Sequence, residues 1–210
     1  MSELSVDEMP LVGRATVPLP GRLLLLMLAL FTALSPTEVN ADLATFAILP
    51  EKSQVGYVSA TQLGEFRGTT GRVSGDLVFD VRDPVRGKLL VAVDPKGLRS
   101  DNAVRDRHMY EEVFEVARFP SMTFTADQFK RDGSAEASEF RGTLLGTFSL
   151  HGVDQPVSVP IRFTVEGATL RGEGKFSINL SQFGITPPRL LGLRVRNEVV
   201  IEVRLVAAKR

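Results

Sequence analysis

Two stretches of this chain alternate apolar and polar residues so strictly that only a strand with one buried face satisfies them. Ile161-Arg-Phe163-Thr-Val165-Glu166 is one; the closing run Val199-Val-Ile201-Glu-Val203-Arg-Leu205, apart from Val200, is the other. A helix would scatter these side chains around its circumference, whereas successive strand residues point to opposite faces. The same rhythm recurs in residues 73–79, 122–126, 144–150 and 170–178. Asp83-Pro84, Asp94-Pro95 with Gly97, Asp132-Gly133, His151-Gly152 and Glu166-Gly167 stand between the apolar runs and supply turn chemistry. Many strands with short turns predict an all-β domain, either an antiparallel sandwich or an up-and-down barrel. Gly68, Gly71, Gly75, Gly142, Gly146, Gly172 and Gly174 lie in or beside strands and favour the barrel, whose closure needs sharp local bending.

One segment breaks the pattern. Residues 99–124 are highly charged, and Met109, Val113 and Val116 recur at helical spacing until Pro120. With Asp101 or Asp106 as cap, they predict a short helical insert near residues 106–117 that lies over the core as a lid or plug. Within it, adjacent Arg105 and Asp106 read as an ion pair pinning the insert to the barrel. Nucleophilic or metal-assisted hydrolysis lacks its usual motifs, since neither G-x-S-x-G nor H-E-x-x-H occurs, so no enzyme is expected. His108 and His151 are the only histidines and stand in unrelated contexts, so no metal site is expected. Phe79, Phe124, Phe148, Phe163 and Phe176 fall on the apolar phase of their strands. They line either a filled core or a ligand cavity; the absence of tryptophan and the many strand glycines favour a cavity.

The N-terminus suggests export. Arg14 and Arg22 precede an apolar run at residues 23–34, which is signal-peptide length and well short of a membrane span. Val39 and Ala41 suit cleavage before Asp42, giving a leader at 1–41 and one domain at 42–210; Met1 and Met9 are both candidate starts. With no cysteine in the chain, neither a disulfide nor a lipid attached through cysteine is available. From residue 42 onward 23 basic residues face 21 acidic ones, a balance that offers no footprint for nucleic acid.

Leu98-Arg-Ser100-Asp-Asn102, Arg105-Asp106-x-His108-Met109, Phe119-Pro120-x-Met122-x-Phe124, Gly142-x-Leu144, Leu150-His151-Gly152-Val153 with Pro156-Val157, and Phe183-Gly184-Ile185 follow one another over nearly all of residues 42–210. In this order and spacing they resemble the YceI-like, polyisoprenoid-binding family. The resemblance implies a lipocalin-like antiparallel β-barrel of about eight strands around an elongated apolar pocket. It also implies a periplasmic, non-enzymatic protein whose partner is a long isoprenoid, a quinone or another lipid-like molecule, with no cofactor beyond that cargo and with transient membrane contact. Arg105, Asp106 and His108 match the family pattern as structural or entrance residues. Leu180 and Gln182, and Asp154 and Gln155, stand where many members carry other, mostly charged or hydroxylated, residues, which alters the charge at one end of the barrel. A structural or stress-related envelope protein without a stoichiometric ligand stays open as the alternative, and no feature favours one oligomeric state.

Overall fold

The computed structural model describes residues 43–80, 85–133, 139–190 and 192–210; the leader and its cleavage point lie outside them. Antiparallel strands dominate: β1 (Leu43–Ile48), β2 (Gln54–Thr61), β3 (Gly64–Thr70), β4 (Val73–Asp80), β5 (Arg86–Val93), β6 (Met122–Arg131), β7 (Glu139–Leu150), β8 (Val153–Glu166), β9 (Thr169–Asn179), a two-stranded hairpin β10 (Arg189–Leu190) and β11 (Leu193–Arg194), and β12 (Glu198–Lys209). Eight of them form a ring in the order β1-β4-β5-β6-β7-β8-β9-β12, and β12 returns to β1 through Phe46↔Lys209, Ala47↔Ala208 and Ile48↔Ala207. The barrel therefore closes, which the alternation alone left undecided.

Closure depends on a break in the first strand. Pro50 has no N–H to give the ladder, so after Ile48 the chain turns through a 3-10 segment, Pro50–Lys52, before β2 resumes along the same neighbour. At the break the side chain of Ser53 stands in for the strand backbone. Its Oγ accepts from the Val206 N–H at 3.0 Å and donates to the Val206 carbonyl at 3.2 Å. In this way β12 pairs with β1 over its C-terminal part and with β2 over its N-terminal part, while β9 runs along its other edge.

On the upper end of the barrel β3 has no strand on its outer edge, only a single bridge between Thr69 and Arg99. The insert fills that place. Its helix α1 (Ala103–His108) continues into a π-helical turn, Met109–Val113, so the helical part begins and ends earlier than residues 106–117. The start moves because Asn102, and neither aspartate, is the cap: its Oδ1 accepts from the Arg105 N–H at 2.9 Å. The end moves because Glu115 adopts a left-handed backbone with φ of 45°, well before Pro120. As expected of a plug, Met109, Val113 and Val116 are buried.

The interior divides into two apolar clusters. Phe46, Phe79, Phe129, Phe140 and Phe163 crowd the end away from the insert, with Phe163 stacked 4.8 Å from Phe140 and edge-on to Phe129 at 5.5 Å and Phe79 at 6.0 Å. Tyr57, Met109, Phe148, Ile178, Leu180 and Phe183 belong to the cluster at the insert end, and Met122 and Phe124 pack against both.

Close strand approach singles out two glycines. A Cβ on Gly146 would sit 2.1 Å from the Thr125 carbonyl oxygen, and one on Gly75, whose φ is 146°, would sit 1.9 Å from the Leu90 carbonyl oxygen. Gly75→Ala combines backbone strain with a clash against main chain that cannot swing aside, so it should destabilise the barrel by roughly 2–4 kcal/mol. Urea unfolding midpoints of the two proteins measure it; equal midpoints would refute the assignment of this bend to the glycine.

Candidate functional site

Three apolar cavities follow one another along the barrel interior. The first, at the insert end, has a cavity volume of about 90 Å³, the middle one about 60 Å³ and the far one about 70 Å³. They adjoin: Met122, Phe148 and Ile201 wall both the first and the middle cavity, and Leu89, Leu144, Ile161 and Leu205 wall both the middle and the far one. The five phenylalanines named from strand phase all point into this passage. Phe148 stands between the first and middle cavities, Phe124 and Phe176 line the middle one, and Phe79 and Phe163 line the far one. Their surroundings differ. Phe124 and Phe176 are only partly buried, whereas Phe79 and Phe163 are buried in the aromatic cluster that walls the far cavity.

The first cavity alone holds polar atoms in need of partners. Among the described residues, Tyr57 Oη, Ser59 Oγ and His108 Nε2 are buried side-chain atoms that make no hydrogen bond of good geometry, and all three residues line it. Tyr57 and Ser59 are two apart on β2 and so share its inward face. Burial pushes the Tyr57 hydroxyl up to about 12, against a smaller opposing pull from the neighbouring Ser100 hydroxyl, which lies too poorly aligned to satisfy it, so it stays protonated at neutral pH and acts as a donor. Nδ1 of His108 lies 3.0 Å from Glu112 Oε1, which calls for a proton on Nδ1 and leaves Nε2 of the neutral ring as an acceptor facing the cavity. Buried polar atoms are seldom left unpaired, so two donors and an acceptor in an apolar chamber mark the place of a polar group brought by a ligand or by water.

Arg105 and Asp106 do not form the ion pair expected from their adjacency. Neighbours on a helix point in different directions, and the two meet instead through a third residue, Ser100. Asp106, buried, accepts from the Ser100 N–H at 3.0 Å and from its hydroxyl; Arg105 Nε donates to Ser100 Oγ at 2.8 Å and its Nη2 to the Ser100 carbonyl. The Arg105 guanidinium also lies 4.7 Å from the centroid of the Phe66 ring, and both residues line the first cavity. This set fixes the insert while leaving His108 one turn from it, turned inward.

A second tether holds the segment after the insert. Glu115 accepts from Arg118 Nη1 at 2.7 Å and faces His151 Nε2 at 3.1 Å, while His151 Nδ1 lies 3.3 Å from the Phe183 carbonyl and the Phe119 ring packs 4.5 Å from the imidazole. His108 and His151 thus serve separate places. Of the positions that depart from the family pattern, Leu180 walls the first cavity, Gln155 Nε2 donates to the Gln182 carbonyl at 2.9 Å, and Asp154 accepts from the Ser149 hydroxyl. Tyr57 and Ser59 escaped the sequence reading; the signal was a serine and a phenol at positions where the alternation of β2 calls for apolar side chains.

A model of the YceI-like domain matches residues 46–207. The chain belongs to the YceI-like family. A UPF0312 protein of Yersinia enterocolitica is 28% identical over 150 residues, covering 68% of this chain and 74% of that protein. A UPF0312 protein of Enterobacter sp. is 31% identical over 126 residues, but there the match spans 62% of the relative's length. Among solved structures, BcnA of Burkholderia cenocepacia superposes with a TM-score of 0.66 at 22% identity over 77% of this chain and 99% of that one. A polyisoprenoid binding domain from Saccharophagus degradans gives 0.66 at 16% identity, covering 79% and 98%. At these identities the YceI-like neighbours establish the barrel fold.

Two expectations follow for the tethers. Asp106→Ala strips the buried Ser100 N–H and hydroxyl of their acceptor and should cost roughly 2–4 kcal/mol of stability, read as a lowered urea midpoint. The Arg118 hydrogen bond, and after it that of His151, holds the Glu115 carboxyl below its ordinary 4.5. Because its folded value is depressed, the contact contributes fully above that ordinary value and fades as pH falls through the folded one. The melting temperatures of wild type and Glu115→Gln should therefore differ at neutral pH and converge once pH falls below the depressed folded value; a gap that persists in acid would show that the contact is not ionic.

Proposed function

We propose that this protein binds and carries a long-chain isoprenoid lipid in the periplasm, its tail laid through the three cavities and a neutral polar head at the insert end. The observation that carries the reading is the polarity of the passage: apolar throughout, with its unpaired buried donors and acceptor gathered at one end. A free fatty chain without a head would leave Tyr57, Ser59 and His108 unpaired. A diphosphate would need cations inside the chamber, and the arginine that lines it, Arg105, already spends Nε and Nη2 on Ser100, while those of the strap face outward. A prenyl alcohol matches all three, accepting from the two donors and donating to the acceptor, whereas a quinone carbonyl answers the two donors alone. Membership of the YceI-like family and the fold shared with a polyisoprenoid binding domain support lipid as the class, the leader-like residues 1–41 support export, and no catalytic step is assigned to these side chains.

Organic extraction of purified protein followed by mass spectrometry should release a stoichiometric apolar molecule. Phe176→Ala, on the partly buried side of the middle cavity, should weaken binding of a long-chain isoprenoid by roughly 1.5–3 kcal/mol, about 10- to 150-fold. Phe163→Ala, inside the aromatic cluster, should chiefly cost stability, about 3–5 kcal/mol. An empty extract together with no isoprenoid binding by the stripped wild type would overturn the proposal in favour of a ligand-free structural protein.

A further inference from the structure

The chain between residues 180 and 197 contains no aspartate or glutamate but three arginines, Arg189, Arg194 and Arg196. It folds as a strap over the insert end of the barrel. Pro188 and Val195 face down and line the first cavity, the Val195 N–H bonds the Pro188 carbonyl at 3.0 Å, and the Arg196 N–H bonds the Ala60 carbonyl of β2 at 2.8 Å. All three arginines are exposed, and none forms an ion pair with a described acid; Arg107 and Arg171 are likewise exposed and unpaired, whereas Arg72, Arg141 and Arg162 pair with acids.

Their placement is unfavourable in water. Arg189 and Arg194 are direct cross-strand partners in the β10–β11 hairpin, and like charges set opposite each other destabilise a ladder. Glu198, which follows the strap on β12, and Glu65, the cross-strand partner of Ala60, make no ion pair with them; of the other acids at this end Asp101, Asp106, Glu111, Glu112 and Glu115 belong to the insert, and Asp154, in the β7–β8 turn region, accepts from Ser149. Beside the strap, just past Ala60, the tip of the β2–β3 hairpin presents Leu63 with 81% of its surface exposed; Val104, 60% exposed, projects from α1. Exposed aliphatic tips flanked by unpaired arginines match one kind of surface, in which a layer of anions overlies hydrocarbon.

We propose that the strap and the β2–β3 hairpin tip form a docking face for a phospholipid surface bearing anionic head groups. The arginines meet phosphate and the two aliphatic side chains enter the interface, so the first cavity is brought against the bilayer from which an apolar cargo would come. Docking gains its purpose from the reading of the barrel as a lipid carrier, on which it rests, yet the two are separable. Extraction of a bound molecule tests the cavity whatever the strap does, and docking can be read on protein stripped of cargo.

The chain has no cysteine, so Leu63→Cys and Glu166→Cys each provide a single labelling site, the second on the β8–β9 turn at the opposite end. The full chain, labelled with an environment-sensitive fluorophore at one site or the other, is titrated with phosphatidylglycerol-containing vesicles and with phosphatidylcholine vesicles at low and high salt. The label at 63 should brighten several-fold on anionic vesicles only, the effect should fade in high salt, and the label at 166 should stay unchanged. Arginine near an anionic surface contributes roughly five-fold in partitioning, so Arg189→Gln with Arg194→Gln and Arg196→Gln should require on the order of 100-fold more lipid for half-brightening. Should the triple variant melt early, Arg194→Gln alone should show the roughly five-fold loss. Brightening on neutral vesicles as strong as on anionic ones, an unaltered response in the arginine variants, or a response at 166 would overturn the proposal. So would a response to a soluble polyanion such as heparin without one to vesicles, which would assign the strap to an acidic polymer.

Discussion

The twelve residues of β12 hydrogen-bond three different strands, and the interior passage exists because they do. A sheet that closes on itself has no free edge to protect, so its inner face can remain apolar and incompletely filled while the backbone groups of its walls are paired. Closure at this size demands bends that a regular strand does not make. Pro50, which removes a donor, Ser53, whose hydroxyl substitutes for the missing rungs, and Gly75, whose backbone admits no side chain, supply them. These residues sit far from any ligand, yet they set the shape in which one would lie.

The two ends of the barrel are built on different physics. At the far end five phenylalanines pack ring against ring beside the far cavity with nothing polar among them. At the other end the wall lacks a strand beside β3, and a helical insert takes its place. A helix covers an opening without continuing the ladder, so it needs its own fastenings. Ser100 provides one, joining the buried Asp106 carboxylate and the Arg105 guanidinium; Glu115 with His151 provides the other. Held at both points, the insert turns Met109 and Val113 inward as wall and His108 inward as a polar contact. The asymmetry gives the passage a direction, with tail and head assigned to opposite ends.

The exterior repeats that asymmetry. On the barrel wall charges pair across strands, as Arg162 with Glu173 and Lys175 with Glu202 do, and such exposed pairs contribute little beyond solubility. Arg189 and Arg194 of the strap, set opposite each other, depart from this at the end where the buried polar atoms lie. Interior and exterior thus mark the same end of the molecule, one by buried polar atoms within, the other by like charges set side by side without.

Much of this was legible in the residues themselves. The period of two in residues 161–166 and 199–205 determined the strands because no other backbone geometry puts alternate side chains on one face, and the inward phase of Phe79, Phe124, Phe148, Phe163 and Phe176 followed from it. The spacing of Met109, Val113 and Val116 determined that the insert is helical. What sequence could not decide were matters of distance. Arg105 and Asp106 are adjacent in the chain, and adjacency suggested a pair, but helix geometry sends them apart and Ser100, five and six residues away, receives both. Tyr57, Ser59 and His108 belong to β2 and to the insert, far apart in the chain, and only closure of the barrel brings them to one chamber and leaves Tyr57 Oη, Ser59 Oγ and His108 Nε2 without a well-formed hydrogen bond. How tightly a phenylalanine is packed by other rings, as Phe163 is by three and Phe176 by one, is likewise set by the volume that all the walls enclose together. Periodicity is a local property of backbone torsion and survives in the sequence; a cavity is what remains after every side chain has been placed, and only the tertiary structure records it.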